Sequence, residues 1–109
     1  LLIVNMVNIG KPIAALCVSP VVVAKALEGS SIHPTMTIGS DQEKSPYDIG
    51  GFSDGLEATG AQTEMKTVQE LTIDRENKIV SAPCYMMNAT VTEIRINIKH
   101  AIEALTQLV

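Results

Sequence analysis

Residues 12–20 read PIAALCVSP, and the fold turns on how that stretch is taken. Ile13 to Leu16 are apolar with no polar alternation, the pattern of a parallel strand covered on both faces. Ser19 then suits the N-cap of a following helix, with Pro20 at its first helical position, where a missing N–H costs nothing. PVVVAKALEG continues as a short helix closed by Gly29. Cys17 therefore sits where a strand turns directly into a helix, the geometry of a nucleophile elbow. Two readings of it stand: a nucleophile presented at the carboxyl end of a sheet, or a small apolar residue filling a core. The first draws on the helix N-terminus, whose partial positive charge and free N–H groups favour thiolate over thiol. It also draws on the backbone N–H of Val18, placed to act as an oxyanion donor.

Working outward, LLIVNMVNIG reads as the last turns of an amphipathic helix ending near Gly10. TMTIG (35–39) is a second strand, and SDQEKSPYDIGG (40–51) a surface loop. FSDGLEATG (52–60) is a short helix, and VQELTID and KIVSAP flank a hairpin turn at Arg75-Glu76-Asn77. From Asn88 onward, Val91, Ile94, Ile98, Ile102, Leu105 and Leu108 fall three or four apart and predict one apolar helical stripe. Thr90 with Glu93 forms a capping box, with Asn88 as a rival cap. Strands alternating with helices predict an α/β fold with a parallel sheet. A first strand apolar on both faces wants neighbours on both edges, and few are supplied. The expectation is that residues 1–109 are the C-terminal part of a single domain, completed by an N-terminal half. The opening residues have no charged n-region or small-residue cleavage site and do not read as a signal peptide.

Composition excludes several classes. With 46% hydrophobic and 18% charged residues the chain is of globular type, and with 3% aromatics its core must come from aliphatic and Met side chains. A net charge of −4 with eight scattered Lys and Arg leaves no footprint for nucleic acid. No apolar run reaches the roughly 18–20 residues of a membrane span. The two cysteines lack metal-ligand spacing, and a reducing compartment is expected.

Four blocks in order, GKPIAALCVSPVVVAKAL, TIGSDQEKSPY, GLEATGAQ and IDRENKIVSAPCYM, resemble the ElbB family. These proteins, also called isoprenoid biosynthesis glyoxalase or enhancing lycopene biosynthesis proteins, lie in the PfpI-like, class I glutamine amidotransferase-like superfamily. The insert Glu43-Lys44-Ser45-Pro46-Tyr47 is similar to the eukaryotic branch, whose members are mitochondrial. The resemblance implies a flavodoxin-like three-layer sandwich, of which this chain is the C-terminal half, with Cys17 as the elbow nucleophile and Val18 as the oxyanion donor. It implies substrate contacts at Ser19, Ser40 and Asp41, a small aldehyde or ketoaldehyde as substrate, and no metal or organic cofactor. The sequence departs from the pattern at Ala14, where relatives often carry glycine, and at Leu16. No His follows the cysteine at the position some superfamily members use.

Other residues read as structural. His33 belongs to a surface loop and His100 to the polar side of the last helix. Cys84 is packing, although a Cys17–Cys84 disulfide is compatible with the sequence. Asn88-Ala89-Thr90 matches a glycosylation sequon at a helix start, Met86-Met87 are gap-fillers, and Glu70 and Asp74 decorate a solvated hairpin. Two functions follow. One is a cofactor-independent glyoxalase or deglycase-like enzyme acting through Cys17. The other is a non-catalytic accessory or structural subunit of a larger mitochondrial assembly; the expected partners are a second copy, as a homo-oligomer, or the other subunits of a larger protein complex.

Overall fold

The apolar run after Pro12 forms a strand, β1 (Ile13–Leu16), in a computed structural model that describes residues 2–109. It is preceded by α1 (Leu2–Asn8) and followed by α2 (Ser19–Leu27). β2 (Thr35–Gly39), α3 (Ile49–Ala58) and β3 (Gln62–Met65) come next. β4 (Thr72–Asp74), β5 (Ile79–Ala82), a 3-10 turn at Cys84–Met86 and α4 (Val91–Gln107) complete the order. α1 stops at Gly10, whose φ of 76° is open to glycine at little cost. There Lys11 N–H bonds Met6 O at 2.9 Å and Gly10 N–H bonds Val7 O at 3.1 Å, the paired bonds of a Schellman end.

β1 runs parallel to β5, in register from Ile13 opposite Ile79 to Leu16 opposite Ala82. β4 and β5 form the expected hairpin, antiparallel, with Asp74 opposite Ile79. The three strands make one sheet in the order β1-β5-β4, and β2 and β3 pair in parallel as a second. Side chains rather than a ladder join the two. Thr35 N–H donates to Asp74 Oδ2 at 2.8 Å, and Thr37 N–H to Ser81 Oγ at 2.9 Å, so β2 lies along the hairpin with its amides satisfied. All four residues of β5 are buried, which requires cover on both faces of that strand. α4 packs on β5 and β1, while α2 and α3 pack on each other and on β1, β2 and β3. Among the described residues, no strand pairs with the other edge of β1.

The core is aliphatic and Met-rich, as the shortage of aromatics predicts: Leu27, Met36, Ile38, Leu56, Ile79 and Met86 are fully buried. Met86 and Met87 are both buried gap-fillers. Gly39 ends β2 at a φ of 131°, and a Cβ there would come within 2.8 Å of Met87 Sδ and 3.1 Å of Ile49 Cδ1. A side chain there would displace Met87 and Ile49 and would hold its Cβ at a strained φ.

Four expectations need correcting. The N-cap of α2 is Val18, not Ser19. Its backbone is already helical, no side chain caps it, and Ser19 and Pro20 are the first two helical residues. Pro20 still costs no hydrogen bond, because the first four helical N–H groups lack intrahelical partners. The loop after β2 ends earlier than expected, since Asp48 caps α3 by accepting Gly51 N–H at 3.1 Å. β3, Gln-Thr-Glu-Met, was not foreseen, because it is largely exposed and carries no apolar alternation. On α4 the buried face runs through Ile94, Asn97 and Ala101, while Val91 and Ile102 are exposed. The helix lies close to the sheet, so small Ala101 and the hydrogen-bonding Asn97 face inward and two of the β-branched residues face outward. The Thr90–Glu93 capping box is present, with bonds of 2.9 and 3.1 Å, so Thr90 and not Asn88 is the cap.

Candidate functional site

Cys17 follows the last residue of β1 and adopts φ 60°. A left-handed backbone costs a residue with a Cβ about 1–2 kcal/mol, and single residues held there concentrate at functional turns. Two constraints hold it. The Cys17 N–H extends the β1–β5 ladder to Ala82 O at 3.0 Å, and the next residue must enter α2, where Val18 O accepts Val21 N–H at 3.0 Å. The chain reverses between an extended strand and a helix within one residue, and the left-handed conformation does it. Cys17 is half-buried, while Val18 and Ser19 are exposed at the head of α2. The first turn of α2 holds no acidic side chain to oppose its partial positive end.

The C-terminal end of β5 repeats the device. Pro83 is followed by Cys84 at φ 48°, and the chain passes at once into the 3-10 turn. Cys84 is 1% exposed. Burial pushes its thiol above the ordinary range; the neighbouring Cys17 backbone partly offsets this, and charge on Cys17 would raise it further. Two cysteines on neighbouring parallel strands thus end side by side, both left-handed. The packing role expected for Cys84 holds, and its contact with the Cys17 backbone goes beyond it.

Asn97 fixes this end of the sheet. It is fully buried in α4; its Oδ1 accepts Cys84 N–H at 2.9 Å and its Nδ2 donates to Glu70 O at 3.1 Å. One amide thus ties α4 to the turn after β5 and to the segment before β4. Sequence reasoning passed over Asn97 because it interrupts no apolar period; a polar residue three after Ile94 and four before Ala101 was the available signal.

Ser40 and Asp41 follow β2. Ser40 is buried, its N–H directed at Met87 Sδ at 3.4 Å and its Oγ accepting Gln42 N–H at 3.1 Å. Asp41 is exposed and accepts from Gln42 Nε2 at 3.0 Å. Both line a 210 Å³ recess with Glu43, Tyr47 and Asp48, and Cys17 is not in its wall. The structure thus brings together Cys17, Val18, Ser19 and Cys84, with Ser40 and Asp41 in a separate recess. A second hollow of 490 Å³ lies between α2 and α3, walled by Val21, Phe52, Gly55 and Leu56, with Lys25 and Asp48 at its polar points.

Neither histidine is tied to Cys17. His33 is exposed with Nδ1 3.1 Å from Gly60 O, and His100 is exposed on α4. Glu70 is exposed and accepts Thr67 N–H at 3.0 Å. Asp74, expected to be solvated, is part-buried and accepts from Thr35 N–H and from the Asn77 backbone and side chain. In the sequon the Thr90 hydroxyl is engaged in the α4 cap. Among the described residues no cluster of three or more metal-ligating side chains occurs, and no helix is long and apolar enough to cross a membrane.

No protein-family model matches the chain. Over 80 residues, 71% of this chain and 28% of the relative, it is 39% identical to human "Glutamine amidotransferase-like class 1 domain-containing protein 3, mitochondrial". Over 101 residues, 90% of this chain and 36% of the relative, it is 32% identical to rat "ES1 protein homolog, mitochondrial". The fold matches the crystal structure of an isoprenoid biosynthesis protein with an amidotransferase-like domain from Ehrlichia chaffeensis. That match has a TM-score of 0.81 and 23% identity, and covers 98% of this chain and 45% of the other. The chain spans 28–36% of the length of these curated relatives. The architecture is therefore the flavodoxin-like, amidotransferase-like α/β sandwich expected from the four blocks.

Proposed function

The chain is a homologue of the ElbB-like, mitochondrial glutamine amidotransferase-like class 1 proteins, and from that premise we propose that Cys17 is a nucleophile for small reactive carbonyls. The observation that carries the reading is the left-handed backbone of Cys17 at the junction of a half-buried strand and an exposed helix start. A strained position is kept when the surroundings over-determine it, and here ladder and helix both do.

The reaction is addition. The Cys17 thiolate attacks an aldehyde carbon, the carbon–sulfur bond forms, and the carbonyl π-electrons move to oxygen. The Val18 N–H and the partial positive charge at the head of α2 stabilise that oxyanion. Protonation of the oxyanion gives a hemithioacetal, and Ser19, exposed in the first turn of α2, is the proposed contact for the substrate's second oxygen. With a ketoaldehyde, proton shifts followed by hydrolysis return the thiol and release a hydroxy acid. Ser40 and Asp41, which line a separate recess, are proposed as further substrate contacts. The mitochondrial location suggested by the insert is the location in the names of both curated relatives.

A second reading, an accessory subunit with no chemistry of its own, draws on the outer surface of α2. There Val22 is 62% exposed beside the apolar hollow against α3. The two readings separate in one experiment. Iodoacetamide labelling of the full chain is followed against pH, with Cys17→Ser as blank, and methylglyoxal consumption is measured in parallel. An activated thiolate gives a labelling plateau above an apparent pKa below the free-cysteine value of about 8.5, together with Cys17-dependent ketoaldehyde loss. Labelling only after unfolding, with methylglyoxal loss equal in both proteins, overturns the enzymatic reading in favour of the accessory one.

A further inference from the structure

We propose that Cys17 and Cys84 form a reversible disulfide in response to peroxide, with Cys17 as the thiol attacked first and Cys84 as the resolving thiol.

The β1–β5 register carries this. Leu16 lies opposite Ala82, and the Cys17 N–H still bonds Ala82 O, so the ladder reaches Cys17 with Cys84 two residues beyond its last paired partner. One strand spacing of about 4.8 Å separates the two chains where they leave the ladder, so adjacent turns there can meet the Cα span of about 4.4–6.8 Å that disulfides occupy. Both residues then leave their strands at φ 60° and 48°, and Cys17 is among the groups that shift the Cys84 thiol. Asn97 anchors the Cys84 amide, which fixes the Cys84 backbone at this end of the sheet.

Exposure divides the roles. Cys17 is half-buried and open to a small oxidant, whereas Cys84 is 1% exposed. Burial also keeps Cys84 as the thiol at neutral pH, so it does not compete for peroxide. In the first step the Cys17 thiolate attacks hydrogen peroxide. The O–O bond breaks, a sulfur–oxygen bond forms, hydroxide leaves, and the sulfur is oxidised by two electrons to a sulfenic acid. In the second step the Cys84 sulfur attacks the Cys17 sulfur. The S–S bond forms, the S–O bond breaks, and the Cys84 proton leaves with the hydroxyl as water. A small-molecule dithiol reverses the pair by exchange. The consequence is protection, because a sulfenic acid with no resolving thiol proceeds to the sulfinic acid, which thiols do not reduce.

This inference rests on Cys17 being the accessible thiol, as the proposed function does, but not on carbonyl chemistry. The test treats the full chain with hydrogen peroxide and measures intact mass, disulfide-linked peptides and iodoacetamide labelling after dithiothreitol. Wild type is expected to lose two hydrogens, yield the linked Cys17 and Cys84 peptides, and recover its labelling. Cys84→Ala is expected to gain oxygens on Cys17 and recover about tenfold less labelling. The wild-type peptide measurement stands even if that variant fails to fold. Oxygen gained on Cys17 of wild type without linked peptides overturns the inference, and so does a Cys17 that does not react. Linked peptides from a protein that consumes no methylglyoxal keep this inference and reject the carbonyl reading; methylglyoxal consumption without linked peptides does the reverse.

Discussion

Replacing Cys17 with glycine should make the protein more stable than replacing it with alanine. Both changes remove the sulfur, its packing and any chemistry, so the two variants differ chiefly in whether a Cβ must be held at φ 60°. That conformation costs a residue with a Cβ about 1–2 kcal/mol. Glycine returns part of the gain, because it leaves about 0.5–1 kcal/mol more chain entropy in the unfolded state. The balance favours Cys17→Gly over Cys17→Ala by about 0.5–1 kcal/mol. With urea slopes of about 1–3 kcal/mol/M for small proteins, the midpoints should separate by roughly 0.2–1 M at unchanged slope. Lys78, at φ 56° in the β4–β5 turn and away from the site, calibrates the effect. Lys78→Gly should exceed Lys78→Ala by a similar margin. If Lys78 behaves as stated while the Cys17 pair shows equal midpoints, or alanine above glycine, the site stores no backbone strain. The argument from strain to function then fails.

Two further outcomes follow from side chains that link segments. Asn97→Ala strands the buried Cys84 N–H, at about 1–3 kcal/mol for a buried unsatisfied group, and frees the Glu70 carbonyl. It should therefore lower stability by about 1–3 kcal/mol and speed hydrogen exchange at the Cys84 amide; a loss near zero would mean that α4 is held by apolar contacts alone. At the start of α4, bonds from the Thr90 backbone and side chain hold the Glu93 carboxyl below its ordinary value of 4.5. A depressed carboxylate stabilises the fold above its unfolded value and loses that contribution as pH falls through the folded one. Urea midpoints should thus fall below pH 4.5, and Glu93→Gln should flatten that part of the profile; parallel profiles would remove the box from the acid response.

What could be read from the sequence was local. The strand-to-helix turn at Cys17, the glycine ending α1, the hairpin around Arg75-Glu76-Asn77 and the Thr90–Glu93 box each depend on residues a few positions apart, whose chemistry leaves few alternatives. What escaped depends on partners distant in the chain. Apolar spacing on α4 weighs Ile and Val above Ala and Asn, yet close approach to the sheet puts Ala101 and Asn97 inside. The N-cap of α2 moved to Val18 because the reversal is completed at Cys17, leaving Ser19 already helical. β3 carries no periodic signal because its hydrogen bonds with β2, rather than an apolar face, define it. The meeting of Cys17 with Cys84 follows from the β1–β5 register, which no short window contains.

That same register fixes when the thiol acquires its geometry. Pairing Ile13 with Ile79 closes the longest loop between partner strands of the fold, and contacts so far apart form slowly because loop entropy must be lost before they form. Until β5 arrives, nothing holds the Cys17 amide to Ala82 O, and an unconstrained cysteine relaxes out of the left-handed region. A nascent or locally opened chain therefore carries a relaxed backbone at position 17. The left-handed one exists only where β1 and β5 have paired, so the reactivity proposed for Cys17 would report on that pairing.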